Sequence, residues 1–280
     1  MKTLAQLIAN KNLHTRIISS FVLAPVALAA LWWGGPVAIV ATALISAMVY
    51  YEWARLTGSS CRSFLFFMSQ AIIAITAVLL VLQANEFAAT FWIILVVLIG
   101  FIHFLFKNAD SWKALGLLYA LTLLVTLLLL RQSPTIGFEA ALFVVLVVWV
   151  TDSSAYFAGS LIGGKKLLPK ISPQKTFAGF YGGLAAAVIV GIVLAFVFKL
   201  PSIVMPVLMA LVLSLASQIG DLFESWVKRK FHVKDSGGLI PGHGGALDRL
   251  DSLVAASLVA YLIGAARAGL ASPAQGLLIW

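Results

Sequence analysis

The chain has 280 residues, 62% hydrophobic and only 10% charged, with a mean hydropathy of +1.05. Soluble domains carry roughly 25% charged residues, so this composition excludes that class. The net charge of +9 is dispersed between apolar runs, which suits lipid headgroups and anionic substrates and argues against a nucleic-acid partner. Cys61 is the only cysteine, so an intrachain disulfide and a cysteine-based metal site are excluded.

Lys2, Lys11 and Arg16 precede the first apolar run. The polar lead is long and a second spanning run follows at once, so a retained first helix is expected rather than a cleaved leader. Length and hydropathy predict helices over 17–34, 36–56, 64–83, 87–106, 113–130, 138–160, 178–198, 202–223 and 252–271, each near the ~20 residues that cross ~30 Å of hydrocarbon. The expected fold class is all-α: a polytopic membrane protein with about nine transmembrane helices and a cytoplasmic N-terminus. About five helices fall in an N-terminal region, 1–130. The C-terminal catalytic region, 131–280, carries two long polar connections, 161–177 and 224–251. Gly34-Gly35-Pro36 reads as the tight turn between the first two helices.

With that topology sixteen of the nineteen lysines and arginines lie on the cytoplasmic side, leaving Arg131, Lys199 and Arg267 outside, as the positive-inside rule requires. Of the acids only Glu86 and Glu139 fall outside. Acids have little influence on topology, so their concentration inside calls for a functional explanation.

Residues 217–251 read SQIGDLFESWVKRKFHVKDSGGLIPGHGGALDRLD. Ser217, Asp221 and Ser225 are spaced four apart, with Glu224 three beyond Asp221, placing all four near one helical face. Asp248 and Asp251 share a face at the start of the last helix. An acid near membrane depth is costly unless paired, hydrated or metal-bound, which marks Asp221, and carboxylates suit Mg²⁺ completed by water and substrate phosphates. Between these acids lie Lys228, Arg229, Lys230 and Lys234, then Gly237-Gly238 and Pro241-Gly242-His243-Gly244-Gly245. Cations neutralise phosphates, and glycines let backbone N–H groups approach them. Singly, a basic cluster is an ordinary topology anchor and glycines an ordinary turn; together they are what handling a Mg²⁺-nucleoside triphosphate requires. Upstream, Asp152 ends an apolar run and is followed by KKLLPKISPQKTFAG from Lys165 to Gly179, whose lysines could hold phosphates.

The stretch from Ser225 to Asp251 resembles the signature of the phosphatidate cytidylyltransferases, or CDP-diacylglycerol synthases. The likeness rests on Ser225, Lys228, Arg229, Lys234, Asp235, Gly237, Pro241, His243, Gly244, Gly245, Asp248, Arg249 and Asp251. A weaker likeness extends over the whole length, including Glu52 in the second helix. The run from Asp152 to Gly159 and the Lys165–Gly179 stretch also match, at Lys170, Ser172, Pro173, Lys175 and Thr176. They depart at Gln174, Phe177 and Ala178, where the family commonly has lysine, tryptophan and glutamate.

The resemblance implies a homodimeric inner-membrane enzyme with its active site facing the cytoplasm. Its substrates are CTP and phosphatidic acid, drawn from among membrane lipids, and its products CDP-diacylglycerol and pyrophosphate. It implies Mg²⁺ held by Asp221 and Asp248, with a monovalent cation such as K⁺ beside it. Lys228, Arg229, Lys234 and Arg249 are then expected at phosphates, with Asp235 and Asp251 in support. Asp152, Lys170, Ser172, Lys175, Thr176, Ser217, Ser225, His243, Gly244 and Gly245 are the candidate substrate-binding residues. Two other classes remain open at this point: another polytopic lipid phosphotransferase, though the long Asp-Gly…Ala-Arg…Gly…Asp…Asp pattern of the CDP-alcohol phosphotransferases is absent from the chain, and an anion or lipid transporter with buried acids along its pathway.

The charge asymmetry predicts the sidedness of the connections. A cysteine introduced at Gly164 should be labelled only from the cytoplasm in sealed cells, and one in 131–137 only from the periplasm. Periplasmic labelling at Gly164 reverses the orientation.

Overall fold

The computed structural model describes residues 11–58, 63–83, 85–106, 109–239 and 244–280. Nine helices coincide with the nine predicted stretches: α1 (Lys11–Trp33), α2 (Gly35–Leu56), α3 (Phe64–Val81), α4 (Asn85–Phe106), α5 (Ala109–Arg131), α6 (Gly137–Leu161), α7 (Phe177–Val197), α8 (Val204–Lys230) and α9 (Leu247–Ala268). A short tenth, α10 (Pro273–Leu278), folds back on α9. The protein is an all-α polytopic membrane protein. Among the described residues seven helices are long and apolar enough to cross a bilayer, and shorter apolar helices cover Val22–Trp33 and Ala89–Ile99.

Local chemistry sets several ends. Ser63 Oγ accepts from the Phe66 N–H at the start of α3, and Thr176 Oγ1 accepts from the Gly179 N–H at the start of α7, each satisfying a donor that a helix start leaves unpaired. At the far end of α5, Arg131 donates through Nε to the Leu31 carbonyl (2.5 Å) and through Nη2 to that of Trp32 (2.9 Å). One cation thereby serves the orphan carbonyls of α1.

Helix α5 is the centre of the bundle, packing on α2, α3, α4, α6 and α9. Its most apolar stretch is 78% buried within the protein, whereas that of α3 is 22% buried and presents its side to lipid. Helices α6, α7, α8 and α9 form a second tightly packed group. The buried small residues Gly179, Gly183, Ala187 and Gly191 recur every four positions along α7, and this stripe lets its backbone approach α6 and α8 closely. Thr126 Oγ1 donates to Ser257 Oγ (2.9 Å) and Thr151 Oγ1 to Ser214 Oγ (3.0 Å), fixing α5 on α9 and α6 on α8 inside the apolar layer.

Two boundaries differ from expectation. Helix α8 continues to Lys230 and α9 begins at Leu247, so both ends of the predicted 224–251 connection are helical. Hydropathy marks only the part of a helix that lies in hydrocarbon, and Glu224 and Lys228 stay helical beyond it because they pair at i,i+4 (2.5 Å). The 161–177 connection contains an antiparallel hairpin, β1 (Lys166–Leu168) and β2 (Ser172–Thr176), with Lys166 opposite Thr176 and Leu168 opposite Ser172.

The closest backbone approach is at the α9–α10 corner, where a Cβ built on Gly264 lies 2.0 Å from the Pro273 carbonyl oxygen. Backbone cannot yield as a side chain can, so Gly264→Ala should destabilise the detergent-solubilised protein by about 1–3 kcal/mol, the usual cost of overpacking. A thermal melt no lower than wild type contradicts this packing.

Candidate active site

An open cavity of about 520 Å³ lies between α6, the hairpin, α7 and α8, and its lining includes Asp152, Ser172, Gln174, Lys175, Thr176 and Asp221. These residues come from three elements, α6, β2 and α8, which meet around one space. Lys175 Nζ reaches Asp221 Oδ2 at 2.6 Å, joining the hairpin to α8. Ser225, one turn along, donates weakly to Asp221 Oδ1 (3.5 Å). Asp152 Oδ1 accepts from Ser252 Oγ (3.3 Å), tying α6 to α9, and Arg249 lies within electrostatic reach of Asp152.

A second cluster adjoins the first. Lys228 Nζ pairs with Glu224 Oε2 (2.5 Å) and Asp248 Oδ1 (2.8 Å), and the Glu224 and Asp248 carboxyls lie against one another. Asp248 also accepts from the Ser236 N–H (3.3 Å) and the Gly245 N–H (3.1 Å). Asp251, only 6% exposed, accepts from the Ser252 N–H (2.8 Å) and faces Asp221, Glu224 and Asp152 electrostatically, so it joins the two clusters.

Other predicted site residues stand apart from the cavity. Lys170 is exposed in the turn between β1 and β2, and Lys234 and Asp235 are exposed in the link after α8. Arg229 donates to the carbonyls of Ile171 (3.3 Å) and Val233 (3.5 Å), bracing the hairpin against the end of α8. Ser217 is fully buried and donates to the Ser214 carbonyl (2.9 Å). Thr176 lines the cavity while capping α7. Gly244 and Gly245 abut Asp248 and Ser236 respectively. His243 lies outside the described residues.

Sequence reasoning assigned no role to three participants. Glu52 on α2 is 1% exposed and accepts from the Leu247 N–H (2.8 Å) and Ser236 Oγ (3.4 Å). Glu224 was placed on the right face without a role. Tyr119 on α5 presents a buried hydroxyl to the acids 221, 224 and 251, with no hydrogen-bond partner among the described residues. A carboxylate in an apolar helix is a signal that could have singled out Glu52; nothing in the sequence marks Tyr119.

Six carboxylates therefore meet near Lys175, Lys228 and Arg249. Glu224 Oε1 and Tyr119 OH, both buried, lack hydrogen-bond partners among the described residues. Excess acid with unsatisfied oxygens is the environment of a hard, partly hydrated cation. Among the described residues no group of three or more His, Cys, Asp or Glu converges as a metal cage.

Residues 14–266 match the Cytidylyltransferase family. The chain is 41% identical over 254 residues to a phosphatidate cytidylyltransferase of Brucella abortus biovar 1, covering 91% of this chain and 94% of the relative. It is 49% identical over 119 residues to the protein of that name in Staphylococcus epidermidis, covering 42% of this chain and 46% of the relative. With that of Bacillus subtilis it shares 44% over 126 residues, covering 45% and 47%. The family match spans every element that lines the cavity, from α6 through α8, and the chain belongs to the cytidylyltransferase family.

Proposed function

We propose that this protein is a phosphatidate cytidylyltransferase of the inner membrane, joining CTP to phosphatidic acid to give CDP-diacylglycerol and pyrophosphate. The observation that carries this reading is the cavity holding Asp221 and Lys175 beside the Lys228–Asp248–Glu224 cluster, in a chain of this family. Nine spans with a cytoplasmic N-terminus put the cavity at the cytoplasmic face, where CTP arrives. Phosphatidic acid enters sideways with its acyl chains left among the helices. Helices within 1–130 form the scaffold, 131–280 the catalytic region, and the working unit is a homodimer.

In the reaction a phosphate oxygen of phosphatidic acid attacks the α-phosphorus of CTP. The new P–O bond forms as the bond from the α-phosphorus to the oxygen bridging it to the β-phosphate breaks, and pyrophosphate leaves with that electron pair. The attacking phosphate is already ionised at neutral pH, so the protein's work is alignment and charge neutralisation. Asp221 and Asp248 are the proposed ligands of Mg²⁺, with a monovalent cation beside it; Mg²⁺ supplies Lewis-acid stabilisation of the phosphate charge. Both oxygens of Asp248 accept hydrogen bonds; with Mg²⁺ bound at Asp248 and Asp221, Lys228 and Lys175 would be available to contact phosphates. The N–H groups of Gly244 and Gly245, His243, and the cations Lys170, Arg229, Lys234 and Arg249 complete the proposed phosphate surround, with Asp152, Ser172, Thr176, Ser217 and Ser225 around the substrates and Asp235 and Asp251 in support.

Radiolabel from α-labelled CTP should enter lipid with purified protein only when Mg²⁺ and phosphatidic acid are both present. Label entering water-soluble products alone refutes the assignment. Asp221→Asn and Asp248→Asn should each yield folded protein with turnover lowered roughly a hundredfold or more, the scale of losing a principal electrostatic element. The double variant should be little worse than either, because residues serving one cation act as a unit. Near-normal turnover in either folded variant removes that residue from the metal site. Lys228→Gln should weaken CTP use more than Lys2→Gln or Lys11→Gln does, measured as kcat/KM; equal effects return Lys228 to a topology anchor.

A further inference from the structure

Glu52 belongs to α2, 184 residues from Ser236 and 195 from Leu247 in sequence, yet it grips both ends of the link between α8 and α9. Its Oε2 accepts from Ser236 Oγ at the leading end and from the Leu247 N–H at the trailing end, and the Leu239 amide faces the same carboxyl. Asp248 holds the same two ends from the other side, through the Ser236 and Gly245 N–H groups. The two carboxylates thus work as opposed jaws on one loop.

The glycines show how close the grip is. A Cβ on Gly237 meets Glu52 Oε1 at 2.5 Å and the rest of that side chain by 3.0 Å, and a Cβ on Gly245 meets Glu52 Oε2 at 2.5 Å as well as Ser236 Oγ. Gly237 has no positive φ, so its lack of a side chain serves the approach of Glu52 rather than a turn. Burying a carboxylate calls for donors; those of Oε2 come from the two ends of the link, while Oε1 has no hydrogen-bond partner among the described residues.

We infer that Glu52 is a positioning residue that holds the two ends of the link between α8 and α9, 236–239 and 244–247, and through them sets the place of Asp248 and the capacity to bind the CTP phosphates. This rests on the proposed role of that loop toward CTP. Helix α2 thereby contributes to nucleotide binding without touching the nucleotide.

Full-length protein in detergent micelles tests it by three readouts. Glu52→Ala should raise KM for CTP roughly tenfold to a hundredfold, the range for losing hydrogen bonds to a charged acceptor, with KM for phosphatidic acid within about twofold of wild type. Glu52→Gln, which keeps an oxygen for the Leu247 N–H, should restore most of the loss. Trypsin should cut faster at exposed Lys234 in Glu52→Ala than in wild type. Gly237→Ala should reproduce the CTP defect in wild type yet add little in the Glu52→Ala background, because the atoms it collides with are gone. If Glu52→Ala fails to fold, Gly237→Ala in the wild-type background supplies the same kinetic and proteolytic test. Unchanged trypsin sensitivity together with unchanged CTP KM overturns the positioning role, as does a Gly237→Ala effect of equal size in both backgrounds. Faster cleavage with unchanged CTP KM leaves Glu52 as the loop's clamp and overturns the assignment of that loop to CTP.

Discussion

Carboxylates set at the end of a transmembrane bundle impose the constraint on which the other features depend. Glu52, Asp152, Asp221, Glu224, Asp248 and Asp251 come from α2, α6, α8 and α9 and meet in one region. Carboxylates brought together in this way need donors or counter-charge. The partners they find are therefore the joints of the structure. Lys175–Asp221 fixes the hairpin on α8, Asp152–Ser252 fixes α6 on α9, and Lys228 fixes α8 on α9.

Such joints need a rigid support, and the apolar layer provides it without charge. Helix α7 carries a small residue every fourth position, so α6 and α8 lie close against it. Hydroxyl pairs between α5 and α9 and between α6 and α8 fix rotation about the helix axes. In lipid, where apolar contact alone does not favour helix over solvent, close packing and these hydrogen bonds carry association. Rotating α8 by one residue would turn Asp221 away from Lys175 and Val227 into the place of Lys228, so side-chain registry in the membrane sets the geometry of the cavity.

The helices were legible because hydrophobic length is a local property, and all nine predicted stretches fold as helices, with ends up to seven residues from those expected. The ends of α8 and α9 were missed because pairing, not hydropathy, extends them. The hairpin escaped because β1 is three residues long and β2 contains Pro173, too little for an alternating pattern. Within the site, residue type and spacing singled out Asp221, Lys228 and Asp248, which do cluster with counter-charges. Spacing cannot show that Arg229 turns to the carbonyls of Ile171 and Val233, or that Ser217 faces the interior. Partnerships across more than a hundred residues, such as that of Glu52 with Leu247, leave no local trace at all.

The same pairing explains how a charged site can exist before substrate arrives. Lys175 and Lys228 pair with Asp221, Glu224 and Asp248, so part of the acid excess is compensated by lysine within the protein. A nucleoside triphosphate with its cation brings both signs together. On the proposed function, Asp221 and Asp248 would hold the cation, and Lys175 and Lys228 would then be available to the phosphates. The backbones of α8 and α9 are held by packing, and the start of α9 by Glu52. A site preorganised in this way spends little energy on rearrangement when charge develops at the reacting phosphates, which is what a reaction governed by alignment rather than by proton transfer requires.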